Sequence, residues 1–221
     1  MFDSTGRALP GDVVTAADDH AEALAYARSV AGRARAAEDL AVRWALAHPE
    51  AARLAAARPG PALALRLADL AVAQAPSEDL LEAVGAWERT AAWVAAQQAS
   101  VLQELQRRTA GSTWAEKGLR DDVAGTLAVS GRAAGVLVDR ALVLATAPEV
   151  HDALAEGTLS VRKVDVLLRD TDTLPGPEAR RVHEELIPEG PHLTTPQLSA
   201  AARRAVLALD PDAAEKRHRR A

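Results

Sequence analysis

The chain has 221 residues, 26% of them charged, and carries a formal net charge of −5 at pH 7 with histidine neutral. Its 48% hydrophobic content can form a packed core, while the many alanines and the 3% aromatic content favour α-helix over β-sheet. The absence of cysteine excludes disulfides, zinc–thiolate sites and a cysteine nucleophile, and no apolar run approaches the length of a membrane span.

The first part of the chain, residues 1–76, is predicted to be an acidic helical segment. Glycine and proline interrupt residues 1–15, and a helix is predicted over 16–47 with a break at Gly32. Two shorter helices follow, at 49–58 and 62–74.

The strongest predicted element is a long central helix over about 78–108, roughly 45 Å in length. Ser77 supplies an N-cap, and Glu78 and Asp79 follow in the first turn, where the helix dipole favours acidic residues. Apolar residues recur along this helix at alternating intervals of four and three, with Gln98 as the one polar position. This heptad seam comprises Leu80, Val84, Trp87, Ala91, Val94, Val101 and Leu105.

The heptad seam allows two interpretations. The first is an antiparallel helix of a monomeric bundle, which the alanines favour because they let neighbouring helices of the same chain pack closely. The second is a dimer seam, which predicts a homodimer through the 80–105 helix. Trp93 lies off the seam and predicts a second buried face on the same helix.

A break around Gly111 ends the long helix, and further helices follow to the end of the chain. With the long helix they are predicted to form an all-α, multi-helix bundle over 77–209. The further helices are predicted at 119–129, 131–146, 148–157, 161–170, 177–187 and 196–209, followed by a basic C-terminal helix or the start of a linker at 210–221.

Two stretches share a helix-turn-helix-like design. In each, a short helix ends, a serine (Ser130 or Ser160) caps a second helix, and cations lie at its start or further along. Those cations are Arg132 and Arg140 in the first unit, and Arg162, Lys163 and Arg169 in the second.

Cations beside the free N–H groups of a helix N-terminus suit a phosphate partner, which predicts contact with DNA. The alternative is an ordinary all-α core with capped helices whose arginines reach water. The second unit is the better candidate for DNA contact, because its second helix keeps a polar face while that of the first unit is almost entirely apolar.

The chain ends in "AEKRHRRA", which is strongly basic. A basic tail can follow the phosphates of DNA, although a solvated helix end is the simpler interpretation. The negative net charge argues against strong non-specific DNA binding, and the acidic excess lies in residues 1–88. The tail cations are Lys216, Arg217, Arg219 and Arg220.

The sequence contains no recognisable catalytic constellation, metal site or cofactor motif. None of the six histidines has a second histidine at i+4, and "HEELI" at 183–187 lacks the second histidine of a zinc-protease helix. Ser130 and Ser160 are better explained as helix caps than as nucleophiles. Asp170 and Asp172 lack a third carboxylate. We therefore predict that the chain is not an enzyme and binds no metal or cofactor.

Four stretches of the chain, covering about 78–221, resemble the actinobacterial 13E12-repeat family (domain of unknown function 222) in order and spacing. The resemblance implies an all-helical module at the front of HNH endonuclease-like proteins, whose relatives continue into a linker and a nuclease domain. The metal-ligand set of that nuclease has no counterpart here, so no catalytic residue is carried over. The four stretches are "EDLLEAVGAWERTAAWVAAQQASVLQEL", "LAVSGRAAGVLVDRALVL", "ALAEGTLSVRKVDVLL" and "LTTPQLSAAARRAVLALDPDAAEKRHRRA".

These observations predict a non-catalytic helical module that binds or positions double-stranded DNA. The alternative is a protein-interaction or oligomerisation module without nucleic-acid contact. The N-terminal residues lack a basic region followed by an apolar stretch, so we expect no signal peptide, no membrane contact and a cytoplasmic location.

Overall fold

The computed structural model describes residues 33–109 and 115–209, all of whose regular secondary structure is helical. This confirms the all-α prediction. The chain divides into two compact units, Met1–Ala52 and Arg53–Ala221. The helices are α1 (33–47), α2 (Pro49–Ala56), α3 (Pro61–Ala68), α4 (Ser77–Thr109), α5 (Ala115–Leu127), α6 (Gly131–Thr146), α7 (Pro148–Ala155), α8 (Val161–Thr171), α9 (Gly176–Leu186) and α10 (Thr195–Leu209), with a 3₁₀ turn at Gly190–His192.

In the first unit, the described residues form α1 and the start of α2. Almost all of α1 is exposed, and the rings of Trp44 and His48 lie 5.5 Å apart at its C-terminal end. The second half of the helix predicted at 16–47 is thus confirmed, whereas residues 16–32 lie outside the described part of the chain.

In the second compact unit, the long helix α4 is confirmed almost to the residue and packs against more of the other helices than any of its neighbours does. Helices α6 and α7 lie against its C-terminal half, α3 lies against its N-terminal half, and α8 packs on α10. The side chains of α4 that face these neighbours are small. They are Ala83, Ala86, Thr90, Ala92, Ala96 and Ala99, with Leu102 as the one large member. Alanine lets two helix backbones approach closely, so these contacts bury main chain as well as side chain.

Helix α3 lies in the second compact unit, and the N-terminal segment predicted at 1–76 stays a prediction. Leu63 and Leu67 of α3 form a small apolar cluster with Ala83 and Ala86 of α4. The helix is also shorter than the 62–74 predicted. Residues 71–74 are exposed, so no packing partner supports a further helical turn there.

The turn before α6 is held by local hydrogen bonds. The Ser130 hydroxyl accepts a hydrogen bond from the backbone N–H of Ala133 at 3.2 Å, which confirms the predicted cap. Helix α5 ends through Ala128, which has φ +54°, and the N–H of Val129 donates to the carbonyl of Ala124 at 3.0 Å. This backbone arrangement is the usual helix stop, with alanine where glycine is favoured.

The turn before α8 differs from this pattern. Ser160 occupies the N-cap position of α8, as predicted. Its hydroxyl makes no capping hydrogen bond, however, so the prediction that the Ser160 side chain caps α8 is wrong. Gly157 has φ +70° and confirms the predicted glycine stop. A Cβ at Gly157 would lie 2.8 Å from Cβ of Arg89, so the contact between α7 and α4 also requires glycine there.

Candidate interaction surfaces

The heptad positions of α4 lie on the side of the helix that the other described helices leave largely uncovered. Val84 is 70% exposed, Val101 60%, Val94 51% and Trp87 47%. Only Leu80 is partly buried. We call this surface the outer face of α4: Leu80, Val84, Trp87, Ala91, Val94, Gln98, Val101 and Leu105.

Helix α4 packs within its own chain, as the alanine content predicted, but it does so through the alanines and not through the heptad seam. One buried face, with Ala83 and Ala86, meets the α3 cluster, and a second, with Ala96 and Ala99, meets the main core. Trp93 is partly buried. The outer face therefore forms an apolar stripe interrupted only at Gln98, which is unusual for a solvated surface.

Three of the five described cations proposed to contact DNA are engaged within the chain. Arg140 binds Asp165 through two hydrogen bonds of 2.6 and 2.9 Å, and its side chain is only 14% exposed. Lys163 donates through Nζ to the carbonyl oxygen of Gly190 at 2.8 Å. Arg169 pairs with Asp170 at 3.2 Å. These contacts join separate helices and turns or shield a buried acid, so each has a structural role.

The other two described cations are available to a partner. Arg132 and Arg162 are exposed and make no hydrogen bond or ion pair with any residue in the described ranges. Each lies in the first turn of the second helix of a helix-turn-helix-like unit, Arg132 in α6 and Arg162 in α8. The predicted tail cations Lys216, Arg217, Arg219 and Arg220 lie outside the described residues.

Asp170 is the most deeply buried acid among the described residues, with its side chain 3% exposed. It accepts hydrogen bonds from Ser199 at 2.5 Å, from Arg169, and from Arg203 at 3.4 Å. Burial by itself opposes ionisation, but the hydrogen bonds from Arg169 and Ser199, together with the positive charge of Arg203, hold the pKa of Asp170 below its usual value. The carboxylate thus ties α8 to α10.

A hydrogen-bonded trio of two buried side chains and one partly buried carboxylate was not predicted from the sequence. His183 contacts Glu149 through Nδ1 at 2.7 Å and Thr171 through Nε2 at 2.8 Å. All three line a groove of about 790 Å³ between α6, α8 and α9. The order of carboxylate, imidazole and hydroxyl matches that of nucleophilic triads. However, Thr171 is 2% exposed, and its hydroxyl also donates a hydrogen bond to the carbonyl of Leu167. The three hydrogen-bonded side chains therefore serve to join α7, α8 and α9.

No sequence signal joins these three residues, because they come from different helices with no motif spacing. Within 33–109 and 115–209, no three histidine, aspartate or glutamate side chains converge to hold a metal ion. None of the helices in the same ranges has the length and apolar character that crossing a membrane requires.

A family model described as "Domain of unknown function (DUF222)" matches residues 81–221 of the chain. The chain belongs to this family. The DUF222 match begins in the first turns of α4 and includes both helix-turn-helix-like units, which confirms the family resemblance found in the sequence. No curated protein and no solved structure matches the chain. The link to HNH nucleases and the actinobacterial origin stay predictions.

Proposed function

We propose that this DUF222 chain is a non-catalytic interaction module that works by binding another α-helix against the outer face of α4. The observation that carries the proposal is the exposure of a regularly spaced set of mostly large apolar residues on a helix whose alanine-rich faces pack against its own chain. Apolar side chains spaced alternately three and four residues apart leave gaps into which the side chains of a facing helix fit. Covering it would remove apolar surface from water.

A labelled amphipathic peptide of about four heptads, with leucine at the core positions, provides a direct test of helix binding. Fluorescence anisotropy with dilute protein should show saturable binding. The double substitution Val94→Asp and Val101→Asp should weaken binding at least about tenfold, because each carboxylate would be buried without a partner. Val136→Asp is a matched control, since Val136 is 52% exposed but lies on α6. Equal peptide binding by the wild type and the Val94/Val101 variant would refute the proposal.

A second candidate function is contact with double-stranded DNA through Arg132 and Arg162. Their exposure, their lack of partners among the described residues and their positions in the first turns of α6 and α8 favour it. Arg140, Lys163 and Arg169 have intramolecular partners, so we expect them to contribute less. DNA contact would position a nuclease domain, which is the role that the resemblance to HNH-associated modules implies.

An electrophoretic mobility shift on duplex DNA at low salt tests this candidate. The double substitution Arg132→Ala and Arg162→Ala should weaken the shift, and the slope of log affinity against log salt should fall by about 0.9 for each phosphate that the arginines no longer neutralise. Arg180→Ala with Arg181→Ala removes the same charge from α9 and serves as the control. If the wild-type chain gives no shift at low salt, DNA contact is excluded as its function.

A further inference from the structure

We infer that the helix covering the outer face of α4 is α4 of a second copy of the chain, lying antiparallel to the first. This inference rests on the proposed function, because it names the partner of the same surface. Three features of α4 support it: the sizes of the heptad side chains, the charges at the two helix ends, and the length of the exposed stripe.

The heptad side chains of α4 fill space evenly only when the two helices run in opposite directions. In a parallel pair each residue faces itself, so Trp87 would crowd Trp87 while Ala91 opposite Ala91 would leave a void. With the two-fold axis between Ala91 and Val94, every heptad position faces another heptad position. The facing pairs are Leu80 with Leu105, Val84 with Val101, Trp87 with Gln98, and Ala91 with Val94.

This register also places the single polar position of the seam opposite the single indole. The side-chain amide oxygen of Gln98 can accept a hydrogen bond from the indole N–H of Trp87 on the other copy. A buried polar pair of this kind fixes register, because any shift along the helix would leave both groups without partners. A parallel pair would instead bring two Gln98 side chains together.

The charges at the ends of α4 favour the same orientation. Glu78 lies in the first turn, and Arg107 and Arg108 lie in the last. Both arginines bind Glu104, which holds the pKa of that carboxyl at about 2, and together the three residues retain one positive charge. Antiparallel pairing brings the acidic end of each copy to the basic end of the other, whereas parallel pairing would bring like charges together.

The outer face is long enough for a specific pair of helices. It extends over residues 80–105, which is close to four heptads and meets the length at which heptad patterns become typical of coiled coils. The N-terminal half of α4 is already packed on α3 and the C-terminal half on α6 and α7. A second copy therefore approaches a helix that its own chain holds in place, so little ordering is needed on binding.

Disulfide trapping tests the orientation directly, because the chain contains no cysteine. Val84→Cys and Val101→Cys are made as single variants, one carrying a mass tag, at positions exposed enough to leave the fold unchanged. Mild oxidation of the mixture should give the linked heterodimer, while neither variant alone should link to itself, because only facing positions come within disulfide distance. Val136→Cys mixed with Val84→Cys is the unlinked control.

Light scattering on the same proteins separates failure of this inference from failure of the proposed function. We expect a dimer for the wild type and a monomer for the Val94→Asp, Val101→Asp variant, with unchanged circular dichroism. A wild-type chain that stays monomeric at its highest attainable concentration, yet binds the amphipathic peptide, overturns the second copy as partner and leaves helix binding intact. Self-linking of Val84→Cys and of Val101→Cys would show a parallel pair and overturn the orientation.

Discussion

The two helix-turn-helix-like units have similar sequences, but their turns are not held in the same way. In the first helix-turn-helix-like unit, the Ser130 hydroxyl caps α6, Ala128 adopts φ +54°, and the N–H of Val129 donates to the carbonyl of Ala124. In the second helix-turn-helix-like unit, the Ser160 hydroxyl makes no capping hydrogen bond, and Gly157 with φ +70° lies directly against Arg89 of α4. Local hydrogen bonds hold both turns, and the second turn adds a close tertiary contact with α4.

The charged residues of the two second helices share part of one pattern. Arg140 and Asp170 occupy equivalent positions relative to their serines, both are largely buried, and each is paired with an opposite charge from another helix, Asp165 of α8 or Arg203 of α10.

Near the start of the two second helices, Arg132 and Arg162 occupy equivalent positions, and both are exposed without a partner among the described residues. Lys163, which holds the turn at Gly190, has Ala133 as its counterpart in the first helix-turn-helix-like unit. The shared local pattern therefore places one exposed arginine in each unit, and the additional cation of the second unit has a structural role.

The largest expected effect comes from Gly157→Ala in the turn of the second helix-turn-helix-like unit. Alanine in the left-handed conformation of residue 157 costs about 1–2 kcal/mol. The new Cβ would also displace Arg89, which adds a destabilisation typical of overpacking. We expect the free energy of unfolding to fall by about 3 kcal/mol, measured by urea denaturation.

Ala128→Gly is the opposite change in the turn of the first helix-turn-helix-like unit. Removing the Cβ from a residue at φ +54° should raise the free energy of unfolding by up to about 1 kcal/mol, because glycine adopts this conformation without steric cost. If Gly157→Ala lowered the free energy of unfolding no more than an ordinary surface substitution, the close contact between the turn after α7 and Arg89 of α4 would be contradicted.

An intermediate effect is expected from Asp170→Asn, which removes the charge that joins α8 to α10. Because the folded-state pKa of Asp170 is lowered, its ionised form stabilises the fold above the usual carboxyl pKa of about 3.9, and this contribution is lost as the pH falls through the folded-state value. At pH 7 the variant should lose about 2 kcal/mol of stability. Its stability should also vary less than that of the wild type on acidification.

Asp172→Asn is the matched control for this prediction. Asp172 is close by on the chain, exposed, and without a partner among the described residues, so its replacement should change stability by less than about 0.5 kcal/mol. An equal acid sensitivity in the wild type and in Asp170→Asn would contradict the role assigned to the buried carboxylate.

The smallest expected effect on the free energy of unfolding comes from replacing Ser130 or Ser160 by alanine. Ser130→Ala should lower the free energy of unfolding by about 1 kcal/mol, because the N–H of Ala133 loses its acceptor. Ser160→Ala should have a much smaller effect, since its hydroxyl makes no capping bond. Thermal unfolding followed by circular dichroism measures both, and a larger destabilisation by Ser160→Ala would reverse the comparison.

Much of the local structure could be predicted from the sequence. The start of α4 at Ser77, the glycine stop at Gly157 and the cap at Ser130 follow from residue types whose backbone and hydrogen-bonding preferences act within a few residues. The partners of Arg140 and Lys163 could not be predicted, because Asp165 and Gly190 reach them only after the helices have packed. The chain of Glu149, Thr171 and His183 escaped detection for the same reason.

Periodicity, caps and chain breakers alone determined that this protein is all-α, where most of its helices lie and that one long helix carries a heptad pattern. Tertiary structure decided which side of that helix is buried. Alanines and valines are both apolar, so hydrophobicity does not choose between the two sides, but alanines allow the backbones of neighbouring helices to approach closely. The small residues of α4 therefore face its own chain, and Val84, Val94 and Val101 are left exposed.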